Sequence, residues 1–168
     1  MEDQDEQLIA QWNDKVKPGD IAFIIGDFSF YEAPRTSNIL KSMNGQKTLV
    51  RGNHDHSKTI SLTVGWSRVL HYHEQRIDGD RIVLSHFPFM SWHGQQKGAY
   101  HLHGHCHGNM RYPGELGSTR IMDVGIDNLS NVIGGYGPIE WSEIKELLSK
   151  RKPGHSDDGH RVRSETWS

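Results

Sequence analysis

The sequence predicts a layered α/β fold in which mixed β-strands stack as sheets flanked by helices. Three observations carry that expectation: short apolar runs that end in glycine and a polar residue, apolar residues at helical spacing between those runs, and one clear hairpin signal. At 168 residues the chain can bury the core of one domain, while a hydrophobic fraction of 34% and 18 glycines indicate many loops.

Leu8, Ile9, Trp12 and Val16 recur at helical spacing, and Pro18-Gly19-Asp20 stops that helix. Ile21 to Ile25 is a continuous apolar run, the pattern of a buried strand, and it ends in Gly26-Asp27. A second helix is expected over Thr36 to Met43, closed by Asn44-Gly45. A short strand from Lys47 to Val50 then runs into Arg51-Gly52-Asn53-His54-Asp55. Residues 57–73 carry no firm pattern. Gln75 to Ile77 and Arg81 to Ser85 flank the turn Asp78-Gly79-Asp80 as a hairpin whose second strand ends at His86. Tyr100 to Gly104 and Arg120 to Val124 read as strands, and Trp141 to Leu148 reads as a terminal helix. The organisation expected is one domain over 1–149 and a flexible polar tail over 150–168, where periodicity stops.

A net charge of −2 gives no general attraction to nucleic acid or anionic membrane, so an anionic substrate needs a local site. The single cysteine, Cys106, cannot form an internal disulfide, and no apolar stretch is long enough to span a bilayer. A cytoplasmic protein is expected. Twelve histidines are unusual for this length and direct attention to metal, although any one histidine is more often solvated or satisfied in a core. Position has to decide between those roles.

Ligand-type residues follow the apolar runs at Asp27, Asn53, His86, His105 and His107, as strand ends would deliver them to one cleft. Asp27 can offer a bridging carboxylate, Asn53 an amide oxygen, and the three histidines imidazole nitrogens. Mixed nitrogen and oxygen ligation suits Mn, Fe, Zn or Co better than Ca or Mg. His101, His103, His105 and His107 alternate, so an extended segment would turn all four to one side. A structural role is favoured for His101 and His103, and Asp123 and Asp127 are expected to shape a strand end. Other chemistries fail on spacing. Cys-x5-Arg would need arginine where Tyr112 stands, and neither a Walker loop nor a Gly-x-Ser-x-Gly elbow occurs.

Taken in order, Gly26-Asp27, Gly52-Asn53-His54-Asp55, His86 and Gly104-His105-Cys106-His107 resemble the motifs of the calcineurin-like metallophosphoesterases, in their compact phage and bacterial form. The resemblance implies a four-layer sandwich and two divalent metal ions, manganese foremost, with Fe, Zn or Co as alternatives. It further implies that Asp27 bridges both ions, that Asn53, His86 and His105 bind the second, and that His107 binds the first. His54 would act beside the substrate as general acid or phosphate-stabilising group, oriented by Asp55, with Arg51 near the phosphate. The implied reaction is hydrolysis of a phosphomonoester or phosphodiester by a metal-bridging hydroxide, and nucleotides or nucleic acid are among the substrates that fit. The family's opening Asp-x-His motif does not occur before Asp27. A missing first strand and a first-metal half reduced to Asp27 and His107 are therefore expected. The alternative is a non-catalytic binding or scaffold protein with a degraded site.

Overall fold

The structure, a computed structural model, describes residues 2–154. Helix α1 (Glu2–Lys15) leads into β1 (Ile21–Ile24), and α2 (Ala33–Ser42) carries the chain over to β2 (Gln46–Val50), which pairs parallel to β1. After α3 (Ser57–Leu62), β3 (Arg68–Leu70) completes a three-stranded parallel sheet in the order β1-β2-β3. Strands β4 (Tyr72–Ile77), β5 (Asp80–Ser85), β6 (Tyr100–His103) and β7 (Ile121–Asp123) form a second sheet in chain order. It is antiparallel between β4 and β5 and parallel from there on. Helices α4 (Ile126–Ile133) and α5 (Trp141–Leu148) close the fold.

Local chemistry explains the element ends. A proline opens the first turn of α2, where its fixed φ costs nothing, and α5 starts with a capping box between Glu140 and Glu143. Asp78 and Gly79, both at positive φ, make the tight hairpin between β4 and β5. Helices α3 and α4 and strand β3 went unread in the sequence. Each is short, and α3 buries no side chain, so its apolar spacing carries little information.

Val50 of the first sheet and Ile82, Leu84, Tyr100, Leu102 and Met122 of the second share one buried cluster with Leu129, Ile144 and Leu148 of the last two helices. Each fully buried apolar side chain there contributes about 1.5–3 kcal/mol. Val83 and Ile121 face the other way and pack under Trp92, Ala99 and Leu116. That face is covered by the connections around two 3-10 turns, Gln95–Lys97 and Leu116–Ser118. Two sheets flanked by helices are therefore present, while this side carries loop where a layered sandwich would carry helix.

The packed chain runs past the boundary expected at residue 149. The Arg151 guanidinium donates to the carbonyls of Gly117 and Ile121 at 3.2 and 3.0 Å, and the Gly154 amide donates to the Gln95 carbonyl. Residues 155–168 of the expected tail lie outside the described residues. Among the described residues, no helix is long and apolar enough to cross a membrane.

Candidate metal centre

Four of the five predicted ligands meet just beyond the C-terminal ends of β1, β2, β5 and β6. Open α/β sheets commonly place their sites at such strand ends. Asp27 Oδ2 lies 3.1 Å from His86 Nε2. Asn53 Oδ1 lies 3.0 Å from that same nitrogen and 2.9 Å from His105 Nδ1. Ligand atoms of Asp27, His86 and His105 all fall within 4.8 Å of one another. The buried His86 ring donates its Nδ1–H to the Ile25 carbonyl at 3.0 Å, the tautomer that leaves the Nε2 lone pair directed at the two oxygens. At His86, acceptor thus faces acceptor. That arrangement is repulsive until a positive charge stands among them, and two oxygens with two imidazole nitrogens suit a borderline divalent cation.

Backbone geometry makes this convergence possible. Asp27 and His105 hold φ at +53° and +69°, and Gly26 before Asp27 holds +77°. A left-handed non-glycine residue costs on the order of 1–3 kcal/mol unless its surroundings fix it. Here the buried Asp55 carboxylate accepts the amides of Asp27, Phe28 and Gly52 at 2.8, 3.2 and 2.8 Å, tying the first two ligand loops together. Close approach also demands glycine: a Cβ on Gly52 would sit 2.2 Å from Asp27 Oδ1.

The remaining expected residues take other places. Asp55 anchors backbone, and its carboxylate bonds go to those amides, not to the His54 ring. Arg51 turns to its own loop, donating to the Asp55 carbonyl at 2.7 Å and to Ser57 Oγ at 3.0 Å. His54 is fixed by its amide, which donates to Asp27 Oδ1 at 2.8 Å, while its exposed ring lies against Phe30 at 5.3 Å. His107, at φ +49°, stands outside the converging group and pairs with Asp127 at 2.5 Å. That hydrogen bond holds the His107 imidazolium above the usual histidine range.

The alternation from His101 to His107 ends with β6. His101 donates from Nδ1 to the Val83 carbonyl at 3.2 Å and accepts the Phe89 amide on Nε2 at 3.0 Å. Its burial pushes the pKa down to about 4, so the ring is neutral and satisfied. His103 spends its nitrogens on the Gly104 carbonyl and the Tyr112 hydroxyl, at 2.8 and 2.6 Å. The left-handed His105 then turns to the opposite side. The four histidines do not share a face, because positive φ at 105 breaks the extended period.

A second group of ligand types, His103, Cys106 and Asp123, is also close enough to surround an ion. Its acceptors are already occupied. Asp123 receives the amides of Gly108 and Gly125 at 2.9 and 2.8 Å and so shapes the strand end, as its sequence position suggested. Burial pushes the Cys106 thiol up. Sequence reasoning missed the Tyr112 partner of His103 and the Asp127 partner of His107, neither of which stands in a motif.

No family model matches the chain. It is similar to the uncharacterized protein MJ1445 of Methanocaldococcus jannaschii, 28% identical over 156 residues that cover 90% of this chain and 79% of that protein. It is also similar to the Gene 66 protein of Mycobacterium phage D29, 25% identical over 179 residues, covering 90% and 86%. Among solved structures, the protein of unknown function AQ665 from Aquifex aeolicus superposes with a TM-score of 0.63 at 24% identity, over 86% of this chain and 84% of that one. That likeness establishes a shared fold.

Proposed function

We propose that the chain is a metal-dependent phosphoesterase of the calcineurin-like type, with its cation held by Asp27, Asn53, His86 and His105. The carrying observation is the set of acceptor atoms on these four residues, 2.9–3.1 Å apart along the chain of contacts, with the donor of His86 tied back to Ile25. A divalent ion in that place supplies Lewis-acid shielding for phosphoryl oxygens. Asp27 and Asn53 fix the oxygens of the site, and His86 and His105 fix its nitrogens. His54 is exposed, its amide is anchored on Asp27, and its ring is suited to meet a leaving oxygen with a proton. Arg51 and Asp55 are positioning residues that hold the ligand loop.

A rival reading, a binding protein that retains a degraded site, is favoured by one observation: His107 stands outside the ligand atoms that converge on Asp27, so the place for a first cation keeps Asp27 alone among the described residues. Manganese-dependent hydrolysis of bis-p-nitrophenyl phosphate, compared with Asn53→Ala, separates the two. A rate that rises with manganese and falls at least about 100-fold in the variant is expected, in line with loss of a well-placed electrostatic group. Equal rates for the two proteins would count against catalysis at this centre.

A further inference from the structure

A cavity of about 1170 Å³ runs through the fold from the candidate metal centre, between α1, β1, the second sheet and α5. Its walls include Leu8, Trp12, Ile77, Leu84 and Ile144, and Asp27 and His86 stand at its end. One wall is not side chain but backbone. Among the described residues, strand β1 is the edge of its sheet. The Gln46 amide donates to the Asp20 carbonyl, so Asp20, Ala22 and Ile24 address β2 while Ile21 and Phe23 address the other side. The amides and carbonyls of Ile21 and Phe23 accordingly face away from the sheet, at residues that line the cavity.

Two occupants fit an apolar trough, an acyl chain and an extended polypeptide. Hydrocarbon against β1 would strip those four backbone groups of water and give nothing back, at a cost comparable to losing each hydrogen bond. A strand pairs with them and fills the trough with side chains at the same time. We infer that this cavity is a receptor groove for an extended apolar strand of a polypeptide partner, which adds to the free edge of β1. Such a strand lies beside Ile21 to Ile25 and ends against Asp27, closing the open wall of the candidate metal centre. This inference is independent of the phosphoesterase reading, since it concerns main-chain pairing and burial.

The test uses amide exchange of the whole chain with a short peptide of alternating valine and threonine, solubilised by terminal lysines. Saturating peptide is expected to slow exchange of the segment holding Ile21 and Phe23 by about tenfold or more, because pairing ties up amides that were free. The same peptide N-methylated at alternate residues loses the donors on one edge and is expected to give no protection when that edge faces β1. Ile21→Pro removes an outward amide while sparing the β2 ladder, and is expected to weaken peptide binding about tenfold. Protection by decanoate with none by peptide would overturn the inference in favour of an acyl ligand, and equal protection by the methylated and parent peptides would overturn main-chain pairing. Should Ile21→Pro not fold, the two peptides on the unaltered chain still decide.

Discussion

Two pairs of histidines, close in the chain, show opposite solutions to the same problem. His101 and His103 are buried on β6 with both nitrogens of each ring given partners, so nothing remains for a ligand. His86 and His105 also make contacts, but theirs converge on the side-chain oxygens of Asn53 and Asp27, where the ring nitrogens of both can serve as ligands. The difference teaches that histidine content alone does not mark a candidate metal ligand, and that the partners of each ring nitrogen divide the candidates from the satisfied rings. A satisfied imidazole stabilises; an imidazole whose nitrogen converges with other ligand atoms is suited to a cation.

The sharpest break in that comparison comes from Asp27→Asn. Removing the carboxylate charge is expected to weaken manganese binding by roughly 100- to 1000-fold, as for other losses of a charged group from a preorganised site. Calorimetric titration checks this, with circular dichroism to confirm the fold, and an unchanged affinity would remove Asp27 from the centre.

His101 should behave in the reverse way, with an effect on stability and none on metal. Its folded-state pKa near 4 lies below the ordinary value near 6.5. The neutral ring is the form the fold accepts, so its contribution is complete above about pH 6.5 and is lost as the pH falls towards 4. The linked loss is about 3 kcal/mol at most. Urea unfolding at pH 7 and at pH 4.5 is expected to show this drop, and His101→Gln is expected to flatten it while leaving manganese affinity at pH 7 intact. A variant as acid-sensitive as the parent would show that another group governs the slope.

A smaller effect is expected where backbone alone supports the centre. Gly52→Ala pushes a methyl against the Asp27 carboxylate, and a displacement of that size should lower manganese affinity about tenfold. An affinity within twofold of the parent would mean that the loop yields freely. The smallest change is expected for His107→Ala. His107 is exposed and paired with Asp127, so the variant should alter manganese affinity by less than about threefold. A large loss would instead return His107 to the ligand set that its motif implies.

Much of this architecture was legible because it rests on local rules. The apolar runs at Ile21 and Lys47, the Asp78-Gly79 turn and the capped helix at Trp141 are each specified within a few residues, and the structure places β1, β2, the hairpin and α5 there. The loops bearing Asp27, Asn53 and His105 were legible for the same reason, since glycine beside a ligand-type residue after a strand is a local pattern, and His86 directly follows the second strand of the hairpin. Segment 57–73 was not, since α3 buries no side chain and β3 is three residues long.

The sequence by itself therefore determined which residue types stand at strand ends. Only the tertiary structure decided which of them converge. His103 and His105 are two residues apart and equally suited to metal as chemistry, yet a single left-handed residue sends one to Tyr112 and the other to Asn53. Asp55 and His107 were likewise assigned by partners distant in the chain, the amide of Asp27 and Asp127, while Arg51 turned to Ser57 and the Asp55 carbonyl of its own loop. The edge position of β1 among the described residues, beside an apolar trough, was equally invisible in one dimension. An apolar run declares a strand, but how many of its neighbours are present is a property of the sheet it joins.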